Sequence, residues 1–170
     1  MRRLSIPVAL ALLLAGCATR PAEPPPPVVI GRAQSLEAAL APAAGGGVTM
    51  ARVREGLLFT LPWRLLFEPN SYRLTASGLM TLDRIGAALT DGDERIMITG
   101  LSDNGGNSVV NRPQSLNRAG MVARRLIERG VSERRITAVG LGSARPVASN
   151  LYADGRTRNR RIELLIQVGR

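Results

Sequence analysis

The chain has 170 residues; its 23 basic residues, all arginine, outnumber 13 acidic ones and give a formal charge of +10 at pH 7. It contains neither histidine nor lysine, which excludes a histidine-based zinc cluster, a Ser-His-Asp triad and a P-loop. The one cysteine rules out an internal disulfide, and five aromatic residues give no stacking platform for single-stranded nucleic acid.

At the N-terminus Arg2 and Arg3 precede an apolar run over residues 4–14 that closes with Leu14-Ala15-Gly16-Cys17. The run is shorter than the ~20 residues a spanning helix needs, so residues 1–16 read as a secretory signal. Small residues just before a lone cysteine resemble a lipobox, which implies cleavage and acylation of Cys17 with palmitate-type chains. Two or three such chains anchor stably where a single one binds only marginally. Ala18 follows Cys17 where aspartate would signal retention in the inner membrane. By resemblance to enterobacterial lipoproteins, the expected destination is the outer membrane, with the rest of the chain in the periplasm. Export also removes nucleic acid as the partner of the basic charge, leaving anionic wall polymers and lipid headgroups.

Residues 17–47 read as the lipidated cysteine followed by a Pro/Ala/Gly-rich linker, with Pro24-Pro25-Pro26-Pro27 as an extended spacer and Gly45-Gly46-Gly47 as a flexible joint. Fully extended, the linker reaches about 100 Å. A helix over residues 33–40 is possible but too brief to be stable alone.

Beyond Gly47 the hydrophobic pattern is regular. Residues 48–53 and 57–61 alternate as two strands around Arg54-Glu55-Gly56, a hairpin. Residues 65–67 form a short extended piece. Thr75 is the expected N-cap of a helix that buries Leu79, Leu82, Ile85, Gly86 and Leu89 and stops at Asp91-Gly92-Asp93. A strand over 95–99 leads to a second helix over 115–129, with Ser115 as its N-cap and Ala119, Val122, Leu126 and Ile127 inward; Gly130 ends it. Strands over 136–139 and 162–168 enclose a polar loop over 142–158. The alternation predicts an α/β domain (an α+β sandwich) over residues 48–170: a mixed β-sheet with helices packed on one face, preceded by a β-hairpin.

The chemistry concentrates after the strand at 95–99, in Gly100-Leu101-Ser102-Asp103-Asn104-Gly105-Gly106-Asn107, then Asn111, Ser115 and Arg118-Ala119. The C-terminal stretch Gly155-Arg156-Thr157-Arg158-Asn159-Arg160-Arg161-Ile162-Glu163 completes the pattern. Over residues 57–166 this resembles the OmpA C-terminal-like family, whose motif runs Gly-x-Thr-Asp-Asn-x-Gly, with Asn, Ser and Arg-Ala at the spacings found here. The resemblance implies non-covalent binding of peptidoglycan through the diaminopimelate of its stem peptide, with Asp103 and Arg118 as the main contacts. Asn111, Asn70 and Arg160 are further candidates for the pocket. An ammonium and a carboxylate on the ligand suit one fixed anion and one planar cation able to pair bidentately. With Ser115 as N-cap, Arg118 would lie in the first helical turn, where free backbone N–H groups also favour an anion.

Four departures from the family pattern stand out. Leu101 occupies a position often held by histidine, Asn107 replaces a usual Ser or Thr, Gln114 replaces a usual leucine, and Pro113 is expected to interrupt the helix between Asn111 and Ser115. So few aromatics suggest a ligand site that reads the peptide stem and not the sugar rings. The resulting expectation is a lipoprotein that tethers the outer membrane to the wall, without enzymatic activity, cofactor or metal. Two other readings stay open: a structural subunit of an envelope assembly, Tol-Pal-like or secretion-related, that uses the domain for protein contacts, and a wall hydrolase using Asp103 with Asp154.

Overall fold

The computed structural model describes residues 28–168, so the expected signal, Cys17 and the proline run lie outside it. In chain order the elements are α1 (Val28–Leu40), a 3-10 turn (Ala41–Ala43), β1 (Thr49–Val53), β2 (Gly56–Pro62), α2 (Trp63–Leu66) and α3 (Ala76–Leu89). After these come β3 (Arg95–Leu101), α4 (Ser108–Glu128), a second 3-10 turn (Glu133–Arg135), β4 (Ile136–Gly142), α5 (Ala153–Asn159) and β5 (Arg161–Gln167). The strands form one sheet in the order β1-β2-β5-β3-β4, antiparallel except for the parallel pair β3–β4. This is the mixed sheet with helices that the hydrophobic pattern predicts.

Alternation with a period of two turns one face of each strand inward. Leu57, Phe59 and Leu61 of β2, Ile96 and Ile98 of β3, and Ile162, Leu164 and Ile166 of β5 are buried against Leu82, Ile85 and Leu89 of α3 and Ala119, Val122 and Leu126 of α4. Thr75 caps α3 as expected, its hydroxyl accepting from the Gly78 amide at 2.9 Å. The hairpin closes around Arg54-Glu55, with Val53 paired to Gly56.

Helix α4 lies directly on the sheet because two glycines leave room for it. A Cβ at Gly100 would come within 2.0 Å of the Ser115 carbonyl oxygen, and one at Gly140 within 2.4 Å of the Leu116 amide nitrogen. No side chain fits between these backbones. The contact fixes the height of α4 over the end of β3 and therefore the placement of Arg118, one turn beyond Ser115.

Five expectations about local structure are corrected. α4 begins at Ser108 with Asn107 as N-cap, its Oδ1 accepting from the Val109 amide at 2.9 Å, so Ser115 caps nothing. Pro113 sits inside the helix without ending it; it forfeits the bond to the Val109 carbonyl, on a side where Val109 is 74% exposed and water can serve instead. Leu65 is helical, and the loop over 142–158 contains α5. Ile127, expected inside, is partly exposed.

The segment given to a linker also differs in its second half. Residues 28–40 are helical, and Leu36, Leu40 and Ala43 are buried in the core where α1 meets α3. The sequence shows only a short apolar spacing there, too weak to stand alone. Docking on α3 supplies the stability.

Candidate functional site

The candidate site stands at the end of the sheet where β2, β3 and β4 finish and β5 begins. Asp103 follows β3 and is 8% exposed. Its Oδ1 accepts from the Gly105 amide at 3.1 Å, and its Oδ2 accepts from Arg160 Nη1 at 2.8 Å. The second nitrogen of that guanidinium, Nη2, donates to the Thr157 hydroxyl at 3.1 Å. Asp103 is thus aimed from two sides, and a carboxylate with about four acceptor positions retains capacity for another donor.

Asn111 and Ser115 position the loop and helix. The Asn111 Nδ2 donates to the Gly105 carbonyl at 2.8 Å and, more distantly, to the Asp103 carbonyl at 3.4 Å, which holds the 103–105 turn against α4. Pro113 leaves this arrangement intact. Ser115 is fully buried; its hydroxyl donates to the Arg112 carbonyl at 2.8 Å and accepts from the Gly142 amide at 2.9 Å, pinning the end of β4 to the helix. Asn159 does the same for the loop before α5, accepting from the Val147 and Ala148 amides and donating to the Ala148 carbonyl.

Arg118 departs most from expectation. It lies in the third turn of α4, away from the helix N-terminus, so free amides and the helix dipole do not assist it. Aromatic rings surround it: its guanidinium carbon is 3.7 Å from the centre of the Trp63 ring, 5.3 Å from that of Tyr72 and 5.9 Å from that of Phe67. The ring faces attract the cation. Three of the chain's five aromatics therefore serve this one side chain. Arg118 is 7% exposed, and burial pushes its pKa down, partly offset by the attraction of Tyr72.

Among the described residues, the buried side-chain nitrogens and oxygens without a hydrogen-bond partner are Arg118 Nε, Arg118 Nη1 and Trp63 Nε1. All three are donors and all belong to this stacked pair. A buried donor left unpaired costs about 1–3 kcal/mol, and more when charged. A carboxylate pairs bidentately along one edge of a guanidinium, so an anionic ligand here offsets part of that cost.

The two halves of the site are linked through the backbone. The Trp63 amide donates to the Arg160 carbonyl at 3.0 Å, so the residue that stacks on Arg118 is tied to the residue that pairs with Asp103. Asp103, Asn111 and Arg160 come together as the sequence suggested. Asn70 is exposed at a loop tip with φ 52°, and no hydrogen bond joins it to the other candidates. Trp63, Phe67 and Tyr72 were missed by sequence reasoning, although the crowding of three of five aromatics into ten residues was the available signal.

Fold and site together define a small α+β domain that carries a fixed carboxylate and an unpaired buried guanidinium at one end of its sheet. The chain belongs to the OmpA family, which matches residues 66–160, more than half of its length. It is 33% identical over 123 residues to Probable lipoprotein YiaD of Escherichia coli, covering 72% of this chain and 56% of that protein. It is 33% identical over 144 residues to the peptidoglycan-binding protein ArfA of Mycobacterium tuberculosis, covering 84% of this chain and 39% of ArfA. The chain thus spans about half, or less, of the length of these relatives. Among solved structures, the cell wall anchor of the T6SS from Pseudomonas aeruginosa superposes with a TM-score of 0.70 at 29% identity, covering 79% of this chain and 97% of that one. Among the described residues no helix is long and apolar enough to cross a membrane.

Proposed function

We propose that this chain binds peptidoglycan non-covalently and without catalysis, as a lipoprotein anchored in the outer membrane through Cys17. Arg118 takes a carboxylate of the diaminopimelate in the stem peptide, and Asp103, steadied by Arg160, takes the neighbouring ammonium. The observation that carries this reading is the stacked Arg118–Trp63 pair with its three unpaired buried donors. The peptidoglycan-binding relative ArfA adds independent support.

On this reading the free spacer is shorter than the linker composition implies. Because the helix that spans residues 28–40 docks through Leu36 and Leu40, the stretch between the lipidated cysteine and this helix is residues 18–27, with a maximum reach of about 35 Å. Confinement close to the wall then offsets a modest single-site affinity through effective concentration.

A second reading, the assembly subunit, has one observation in its favour. Beside the unpaired edge of β4, Met97, Leu116 and Val109 are 39%, 46% and 74% exposed around an open apolar groove. Exposed apolar surface at a free strand edge suits a protein contact.

The test is co-sedimentation of the detergent-purified protein with isolated peptidoglycan, comparing wild type with Asp103→Ala and Arg118→Met. Loss in both variants supports the site. Equal pull-down of all three means that bulk arginine charge does the binding, and release of soluble muropeptides from the pellet would replace the binding role with a hydrolase.

A further inference from the structure

We infer that a groove beside this site, on the sheet face away from α3 and α4, is a second subsite that grips another carboxylate of the same wall peptide. It is lined by Leu58, Thr60, Pro62, Arg64, Val147 and Arg158, with a volume of about 500 Å³. The inference rests on the peptidoglycan reading and extends it from one residue of the ligand to several.

Charge is the first argument. Arg64 and Arg158 are exposed and form no ion pair or hydrogen bond among the described residues. The carboxylate on the groove floor, Glu163, is already paired on both oxygens: Arg161 donates to its Oε1 at 3.0 and 2.7 Å and Arg145 to its Oε2 at 2.8 Å. Asp154 stands one turn before Arg158 on α5 but makes no ion pair with it. Two uncompensated guanidinium groups therefore face a groove whose one acid is already paired, an arrangement that takes an anion.

Continuity is the second argument. Pro62 and Arg64, which line the groove, flank Trp63, which stacks on Arg118. Thr157, also on the groove wall, accepts from the same Arg160 guanidinium that holds Asp103. A ligand with its carboxylate at Arg118 and its ammonium at Asp103 would reach the groove by passing round the end of the sheet at residues 62–64. A stem peptide carries further carboxylates separated by alanine methyls, which suit the arginine rim and the apolar floor of Leu58, Pro62 and Val147. An anionic lipid headgroup would satisfy the charge but has no reason to begin at Arg118.

The test uses the full-length protein in detergent and two soluble ligands, meso-diaminopimelic acid and the tetrapeptide stem that contains it, titrated by NMR. Arg64 and Arg158 are exposed, so the double variant Arg64→Ala/Arg158→Ala is expected to fold, which circular dichroism checks. It should bind the tetrapeptide about tenfold more weakly, at roughly threefold per exposed charge pair, and bind diaminopimelic acid as wild type does. Unchanged tetrapeptide affinity, or an equal loss for both ligands, overturns the subsite while leaving Arg118 in place. Loss of binding to phosphatidylglycerol vesicles with the tetrapeptide unaffected assigns the groove to lipid instead. If Arg118→Met binds both ligands normally, the peptidoglycan reading of the site fails, and the two-point grip fails with it.

Discussion

Replacing Arg118 with methionine should separate binding from stability, because the unliganded protein carries the cost of a cation it does not pair. Two unpaired guanidinium donors cost about 1–3 kcal/mol each. Against this stands the attraction of the Trp63 face at 3.7 Å, worth up to about 2 kcal/mol when desolvated, with smaller contributions from Tyr72 and Phe67. Methionine keeps an unbranched stem and a sulfur that packs favourably on aromatic rings. The sum leaves the variant between unchanged and about 4 kcal/mol more stable, which raises Tm. Peptidoglycan binding should meanwhile fall by about 2–5 kcal/mol, roughly thirtyfold to several thousandfold, as for other buried charge pairs cut on one side. Urea denaturation and co-sedimentation on the same preparation measure both quantities. A variant destabilised by more than about 1 kcal/mol would refute the argument, since Arg118 would then be a structural residue.

Leu40→Ala should cost about 2–5 kcal/mol in urea denaturation, because Leu40 is fully buried; a freely solvated linker at that position would show no change. Gly100→Ala forces a Cβ to within 2.0 Å of the Ser115 carbonyl and should lower stability by about 1–3 kcal/mol or more, with a loss of binding as α4 lifts from β3. Asn111→Ala removes the donor that holds the 103–105 turn; stability should fall by about 1 kcal/mol, and peptidoglycan affinity should fall with it as Asp103 loses its orientation. An Asn111 variant with weaker stability and full affinity would mean that the turn keeps its shape without the side chain. Arg160→Ala should weaken binding less than Asp103→Ala does, because Arg160 is the more exposed partner and acts by steadying the carboxylate.

The amino-acid sequence by itself determined the parts that depend on local pattern. Alternation in residues 57–61 and 162–168 marked strands whose inward set is the core of the sheet, and Thr75 announced the start of α3 through a side chain able to reach its third residue. The spacing of Asp103, Asn111, Ser115 and Arg118 marked the candidate site, because those residues share one turn and the helix that follows it. Only the tertiary structure decided how they are used. Leu36 and Leu40 become core residues once α3 offers them a surface, and Pro113 is carried inside α4 because helix packing on β3 and β4 outweighs one lost backbone bond. Arg118 was expected beside free amides and instead lies among Trp63, Phe67 and Tyr72, while Arg160, named in the sequence only as a pocket candidate, proves to hold Asp103 from 57 residues away in the chain. Propensity and spacing act over a few residues, whereas the partners of a buried charge come from whichever distant segments the sheet order brings to the same end.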